Sequence, residues 1–292
     1  MATIYAALDG RLVVTAETTD WQCASYLDGY TLESVAAAPN RTFVGTVENG
    51  LQRRIAGGEF ERVGAGTIDD RVTAIAVSPH DPETIWAGTE PSRIYRSRDG
   101  GGTWEHRSGL ADLPSASEWS FPPRPETHHV RWIEPDPHDP GRLYVAIEAG
   151  AFVRTDDAGE TWQDRPDGAR LDNHTVGTHP DAPGRIYVAA GDGYAESTDG
   201  GDTWTYPQTG LEHRYVWSVA IDPADPTQVV VSAASTAQQA HRTGEAFVYR
   251  RTGDGEWRQD MNGITEGATR AVLTRNQGES PRLQSWDESD HT

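Results

Sequence analysis

The sequence predicts an all-β protein built from repeated four-stranded antiparallel units. The first indication is a pattern, Ser/Thr-X-Asp-X-Gly-X-Thr-Trp, that occurs at residues 97–104, 155–162 and 197–204. Self-similarity of this kind is the signature of a repeat architecture. The second indication is that short apolar runs bounded by Pro, Gly and Asp recur along the chain, which is typical of strands joined by tight turns.

Each copy of the pattern follows the same preamble. An apolar run, a Pro/Asp turn, an Ile/Leu-aromatic-X-Ala run and a short alternating run precede it. With the segment after the Trp, each unit has four strands, which is the blade of a β-propeller. Weaker copies cover residues 34–63 and 216–257, and residues 4–22 align with residues 186–206.

The N-terminal unit lacks its first strand, and residues 268–276 resemble an unpaired first strand. Pairing of the two would close the propeller and remove exposed sheet edges. We therefore expect one propeller domain over residues 1–276, with six blades, or seven if the tail belongs to a truncated blade. Residues 277–292 are polar and acidic, and we expect a flexible tail.

The composition indicates the salt conditions in which the protein works rather than the kind of partner that it binds. The formal net charge is -20, and all 25 basic residues are arginine. Such acidity keeps a protein soluble by self-repulsion, a device of halophiles, so we expect a haloarchaeal type of high-salt cytoplasm. The charge disfavours nucleic-acid binding. No apolar run could span a membrane, no signal peptide is apparent, and a single cysteine excludes an internal disulfide. We expect a cytoplasmic monomer.

The repeated pattern resembles the Asp-box, or BNR repeat, of sialidases, some other glycosidases, sortilin-type receptors and photosystem II assembly factors. The resemblance implies a turn between the third and fourth strands, away from the ligand face. The Asp then accepts hydrogen bonds within its turn, the Gly permits positive φ, and the Trp packs between blades. The residues with this structural role are Asp99, Gly101, Trp104, Asp157, Gly159, Trp162, Asp199, Gly201 and Trp204.

A ligand face is predicted where the chain enters the first strand of each blade. Aligned on their terminal prolines, these strands change from aliphatic to polar and aromatic residues toward their start. The polar and aromatic positions are Glu33, Thr73, Arg131, His174 and Trp217, preceded two residues earlier by Thr31, Arg71, His129, Asp172 and Tyr215. Turn carboxylates join the same face, namely Asp9, Glu48, Glu90, Glu148 and Asp192. Ordinary solvated channel lining is the alternative interpretation.

Two insertions, residues 108–129 and 233–245, interrupt the repeats on this face. Long loops in a compact fold are often lids or binding loops. We expect Trp119 and Phe121 of the first insertion to be exposed, where they could stack on a ligand or pack on the propeller rim.

The favoured function is non-catalytic binding of a small polar ligand, a glycan or a protein. The expected binding residues are Arg71, Trp119, His129, Arg131, His174, Arg214, Tyr215, Trp217 and Arg270. The alternative is a glycoside hydrolase, which needs a carboxylate pair or a Tyr nucleophile. Its candidate residues are Glu90, Glu148, Asp192 and Tyr215. The resemblance would also imply a Phe/Tyr-Arg-Ile-Pro signature for a sialidase, and the chain lacks it.

A zinc site is the least supported hypothesis. Three convergent histidines can hold zinc, and His128, His129, His174 and His213 are expected at this level of adjacent blades. Their scattered positions give no metal-binding motif, so we expect no metal and no cofactor.

Overall fold

The computed structural model describes residues 3–8, 10–16, 23–261, 275–277 and 280–282. Its strands form six antiparallel sheets of three or four strands and a separate two-stranded hairpin. Within each sheet the strands follow one another in chain order. The all-β prediction is therefore confirmed.

The first three sheets lie in the N-terminal part of the chain. Sheet 1 contains β1 (Thr3–Leu8), β2 (Arg11–Ala16) and β3 (Cys23–Tyr26). Sheet 2 contains β4 (Leu32–Ala38), β5 (Arg41–Thr46), β6 (Leu51–Ile55) and β7 (Phe60–Val63). Sheet 3 contains β8 (Val72–Val77), β9 (Ile85–Thr89), β10 (Ile94–Ser97) and β11 (Glu105–Arg107).

The C-terminal sheets repeat this order. Sheet 4 contains β12 (Val130–Pro135), β13 (Leu143–Ile147) and β14 (Ala151–Thr155), and sheet 5 contains β15 (Asn173–Gly177), β16 (Ile186–Ala190) and β17 (Gly193–Ser197). Sheet 6 contains β18 (Tyr215–Asp222), β19 (Asp225–Ala234), β20 (Phe247–Thr252) and β21 (Arg258–Gln259). In sheets 4 and 5 single bridges, Arg154–Gln163 and Glu196–Thr205, stand where a fourth strand was predicted.

The hydrophobic core lies between consecutive sheets. Ala74 and Ala76 of β8, Trp86 of β9 and Ile94 of β10 pack with alanine and aliphatic side chains of β12 to β14. Similar clusters join sheet 1 to sheet 2, sheet 2 to sheet 3, sheet 4 to sheet 5 and sheet 5 to sheet 6. The first strands β4, β8, β12, β15 and β18 also contact each other in that order. Because both faces of these strands are covered, their residues are mostly apolar.

Five of the six first strands carry a β-bulge at the same level. The pairing register with the second strand shifts at one residue in β4, β8, β12, β15 and β18. The residues at the shift are Glu33, Thr73, Arg131, His174 and Trp217, all at most 7% exposed. A bulge re-aims a side chain and is frequent beside functional sites. The bulges therefore place polar groups inside the molecule near the entry to each strand.

The turns that carry the repeated Ser/Thr-X-Asp-X-Gly-X-Thr-Trp pattern, which we call boxes, hold their own backbone and contact the preceding sheet. Oδ1 of Asp99 accepts hydrogen bonds from the N–H groups of Gly102 and Thr103, both at 2.9 Å. Gly101 has φ of 85°, and a Cβ there would lie 2.7 Å from the Phe43 ring of sheet 2. This close approach requires glycine.

The third box makes the corresponding contacts two sheets later, between sheet 5 and sheet 4. Trp204 meets Phe152 of sheet 4 edge-on, with ring centroids 4.9 Å apart. Arg154 of the same sheet donates to the Gly200 carbonyl at 2.6 Å. Each box thus joins its own sheet to the one before it.

The insertions are folded segments. Residues 108–129 contain two 3-10 helices, Leu110–Asp112 and Pro114–Glu118. Residues 233–245 contain one α-helix, α1 (Ala237–Thr243). The Thr236 hydroxyl accepts from the Gln239 N–H at its start, and Gly244, with φ of 67°, ends it. These are standard N- and C-terminal caps, and the helix lies in an insertion where the strand pattern predicts no element.

A C-terminal hairpin, β22 (Arg275–Gln277) and β23 (Ser280–Arg282), contacts both ends of the series of sheets. β22 contacts β18, and β23 contacts β4 and β1. The domain boundary expected after residue 276 falls within this hairpin. Residues 268–274 of the predicted closing strand, and most of the predicted tail, lie outside the described residues.

Candidate functional site

A network of acidic and basic side chains crosses the entries to the first strands of sheets 2 to 4. Arg71 donates through Nη2 to Oε1 of Glu33 at 2.5 Å, and its Nε lies 3.3 Å from Oε2 of Glu90. Arg124, from the first insertion, binds both oxygens of Glu90, at 2.9 and 2.7 Å. This bidentate geometry is the strongest arrangement of an arginine and a carboxylate.

Glu90 is therefore an ionised partner of two arginines. Burial acts to raise its pKa, but the hydrogen bond from Arg124 and the charge of Arg71 outweigh burial and hold the pKa below the ordinary value. A general acid needs a raised pKa. Glu90 does not have the properties of one.

Glu148 occupies the equivalent turn of the next sheet and is only 3% exposed. Its Oε2 lies 2.8 Å from Nε2 of His129 and 3.2 Å from Nε of Arg131. Burial would raise the pKa of Glu148, but the His129 hydrogen bond and the charges of His129 and Arg131 lower it to about 2. This carboxylate is charged and screened from solvent.

His174 and Asp172 extend the site from Glu148 into sheet 5. Nε2 of His174 lies 3.8 Å from Oε1 of Glu148 and 3.7 Å from Oδ1 of Asp172. Burial raises the pKa of Asp172, and the negative charge of Glu148 raises it further. The charge of His174 acts in the opposite direction but does not outweigh them. The Asp172 side chain is 31% exposed, so this end of the site reaches solvent.

Aromatic rings cover the other side of His174. Trp217 stacks on it with centroids 4.8 Å apart and an interplanar angle of 23°. Tyr215 meets both rings edge-on, and its hydroxyl lies 3.2 Å from Nε2 of His241 in α1. We call His174, Tyr215, Trp217 and His241 the aromatic cluster. The second insertion thus supplies one of its members, as expected for an insertion on this face.

The first insertion packs against the neighbouring sheets and buries its aromatic residues. Trp119 is 5% exposed and Phe121 is 3% exposed. Trp119 donates to the Ser115 hydroxyl at 3.0 Å and meets His128 edge-on, while Phe121 packs against His129 and under the Arg124 guanidinium. The expectation that these two residues are exposed is wrong, because the 3-10 helices fold the loop inward. Trp119 therefore has little surface for stacking on a ligand.

The histidines do not converge in the way the zinc hypothesis required. Nδ1 of His128 lies 2.8 Å from the Ser92 hydroxyl. His213 stacks on Phe247 and hydrogen-bonds to the Tyr249 hydroxyl. Within the described part of the chain, the one group of three metal-ligating side chains is Glu148, Asp172 and His174, whose ligand atoms lie within 4.8 Å of one another.

The remaining predicted positions lie at the edge of the site or outside the described residues. Arg214 and Glu48 are exposed. Asp192 is 43% exposed, with Arg170 at 3.7 Å. Asp9 and Arg270 are not among the described residues.

Two participants were not identified as site residues from the sequence. Arg124 and His241 both come from insertions, where no repeat register assigns an orientation. The only indication in the sequence was that a charged or aromatic residue stands within a long loop.

No helix in the described part of the chain is long and apolar enough to cross a membrane.

The chain shows only a short match in sequence to a characterised protein. No protein-family model matches it. The oligoxyloglucan-reducing end-specific xyloglucanase of Emericella nidulans is 30% identical over 93 residues, which are 32% of this chain and 10% of that protein. The chain thus spans about a tenth of the length of this relative.

Solved structures are similar over most of the chain. An ancestral GH74 enzyme has a TM-score of 0.66 at 16% identity, covering 91% of this chain and 34% of that one. The GH74 enzyme of Niastella koreensis has a TM-score of 0.60 at 20% identity, covering 91% and 44%. YCF48 from Cyanidioschyzon merolae has a TM-score of 0.64 at 15% identity, covering 94% and 86%. At these identities the likeness concerns the fold alone, and it is the fold of β-propeller proteins.

Proposed function

We propose that this chain is a non-catalytic Asp-box propeller that binds a glycan beside the aromatic cluster. The observation that carries the proposal is the position of the half-buried Tyr215 ring, which contacts His241 on one side and lies across Gly191 from the partly exposed carboxylate of Asp172. Aromatic rings offer large faces for stacking, and a few convergent polar groups fix a ligand's orientation. A sugar has an apolar ring face that can stack on an aromatic ring, and its hydroxyls can donate hydrogen bonds to a carboxylate.

We infer six blades, one for each sheet of three or four strands. The contacts of the β22–β23 hairpin with β18, β4 and β1 support closure of the ring between sheet 6 and sheet 1. The lysine-free sequence with a net charge of -20 supports function in a high-salt cytoplasm.

The state of the predicted catalytic carboxylates supports a non-catalytic role. Glu90 is bound by Arg71 and Arg124, and Glu148 by His129 and Arg131. Asp192 lies exposed beside Arg170. Neither glutamate has a raised pKa, and Glu148 is only 3% exposed.

Glycoside hydrolysis is the second candidate, and one observation favours it. Asp172 and Glu148 have ligand oxygens within 4.8 Å, with the pKa of Asp172 raised and that of Glu148 lowered. Opposite shifts in neighbouring carboxylates are typical of an acid and a nucleophile, and retaining enzymes hold them about 5 Å apart. The burial of Glu148 argues against it, because a nucleophile must reach the substrate.

Titration calorimetry with xyloglucan oligosaccharides tests both candidates, because the sequence relative is a xyloglucanase. We expect binding without release of reducing ends. Tyr215→Ala should weaken binding about tenfold through loss of stacking. Tyr206→Ala, which removes a 47% exposed tyrosine elsewhere, should bind like the wild type. Product release that Asp172→Asn abolishes would establish the hydrolase instead, and absence of binding would refute the glycan proposal.

A further inference from the structure

The orientation of His174 leaves one ring nitrogen available as a ligand. Its Nδ1 lies 2.8 Å from the backbone carbonyl oxygen of Val216. A carbonyl only accepts, so Nδ1 carries a proton, and in the neutral form of the ring Nε2 presents its lone pair. That Nε2 is buried and makes no hydrogen bond, and the residue is 0% exposed. Histidines that bind metals commonly donate their other N–H in this way.

Two carboxylate oxygens face this nitrogen at a distance that does not suit a hydrogen bond. The separations are 3.8 Å to Oε1 of Glu148 and 3.7 Å to Oδ1 of Asp172, whereas N–H···O bonds measure about 2.7–3.2 Å. Ligand atoms around a tetrahedral zinc ion, with bonds of about 2.0 Å, lie about 3.3 Å apart. Small side-chain movements would bring the three atoms to that separation.

Neighbouring groups hold the two carboxylates in position. His129 and Arg131 both engage Oε2 of Glu148, which leaves Oε1 turned toward His174. The N–H of Ala149 donates to Oδ1 of Asp172 at 3.1 Å. On the other side of Asp172, a Cβ at Gly191 would lie 1.9 Å from Oδ2. Outer contacts that orient ligands are a regular feature of metal sites.

We propose that Glu148, Asp172 and His174 form a binding site for a divalent transition-metal ion, with zinc as the best fit. Imidazole with carboxylates suits Zn²⁺ better than Ca²⁺ or Mg²⁺, which prefer oxygen alone. Two carboxylates neutralise the charge of the ion. Three protein ligands leave one coordination position for water or a bound molecule, and the partly exposed Asp172 gives the route of entry. This revises the expectation of no metal site.

The site does not depend on the glycan proposal, because its test uses the metal ion alone. Purified protein is stripped with a chelator, and Zn²⁺ is titrated at high KCl concentration, which screens weak attraction to the acidic surface. We expect one Zn²⁺ per chain. Asp172→Asn should lower the affinity at least about tenfold. Asp254→Asn, which removes an exposed carboxylate between β20 and β21, should bind Zn²⁺ like the wild type.

A second measurement needs no variant. In protein labelled with ¹⁵N-histidine, Zn²⁺ should shift the Nε2 resonance of a ring whose Nδ1 is protonated, and Co²⁺ should give the visible absorption of a bound ion. The proposal is overturned if the wild type takes up no stoichiometric Zn²⁺, if folded Asp172→Asn binds equally tightly, or if no such histidine resonance moves.

Discussion

Nε2 of His129 lies 2.8 Å from Oε2 of Glu148, and Nε of Arg131 shares the same oxygen at 3.2 Å. All three residues are at most 7% exposed. His129 lies at the entry to β12 and Glu148 in the turn after β13, so their contact joins these two segments of sheet 4. A buried carboxylate with two buried basic partners makes the removal of its charge costly.

Glu148→Gln should destabilise the protein by about 3–5 kcal/mol, because it removes the negative charge from the buried group of Glu148, His129 and Arg131. Thermal and urea unfolding at neutral pH measure the loss. The control is Asp192→Asn, an exposed carboxylate on the same face, for which we expect a change within about 0.5 kcal/mol. Equal stability of the two variants would mean that the buried pairing contributes nothing.

Asp199→Asn should lower the melting temperature above pH 4 and have little effect near pH 2. The side-chain and backbone hydrogen bonds from Thr203 lower the pKa of Asp199 from 3.8 to about 2. A lowered pKa gives stability that is present above the unfolded value and is lost as the pH falls through the folded value. Because this carboxylate is largely exposed, we expect a shift of only a few degrees.

Melting curves of wild type and Asp199→Asn between pH 2 and 7 test that dependence. Asp254→Asn, at an exposed position outside the boxes, is the control and should melt like the wild type throughout. A difference that stays constant down to pH 2 would show that the ionised carboxylate is not what stabilises the turn.

Trp119→Ala should cost about 3–5 kcal/mol, the range for removing a large buried aromatic side chain. The indole packs beneath the first insertion, against His128 and Gly150. Calorimetric unfolding gives the loss, and Leu171→Ala, at a residue that is 47% exposed, provides the comparison. If the insertion were an open binding loop, Trp119→Ala would instead leave stability unchanged.

Gly191→Ala should displace Asp172 and so weaken whatever binds there. The new Cβ would lie 1.9 Å from Oδ2 of Asp172 and 2.8 Å from Cε2 of Tyr215. We expect Zn²⁺ and oligosaccharide binding both to fall, measured by calorimetry on protein whose fold is checked by circular dichroism. In Gly58→Ala the added atom would meet only the Ile55 carbonyl oxygen, at 3.1 Å. Unchanged binding in Gly191→Ala would show that Asp172 takes part in neither of the two proposed sites.

The repeats were sufficient to predict most strands, because alternating runs and turn residues are local signals. The runs before Pro79, Pro137 and Pro180 became β8, β12 and β15. Turn chemistry also put Asp99 and Asp199 in positions from which they bind their own backbone.

The sequence could not show which side chains form ion pairs with each other. Arg71 and Arg131 were expected to contact a ligand, but each has a glutamate beside it, supplied by a neighbouring strand or turn. The bulges at Arg131 and His174 carry no glycine or proline to reveal them. Burial of Trp119 likewise depends on two 3-10 helices that interrupt the repeat pattern.

The contacts of each box with the sheet before it run in one direction along the chain. Gly101 packs against Phe43, and Trp204 packs against Phe152. Each of these boxes therefore covers part of the hydrophobic core of the preceding sheet. In a repeat array, nearest-neighbour interfaces of this kind govern cooperativity. Fraying of one sheet would uncover the apolar interior of the preceding one, and disorder would spread toward the N-terminus. Unfolding of sheet 3, 4 or 5, which carry the boxes, would therefore destabilise the preceding sheet as well.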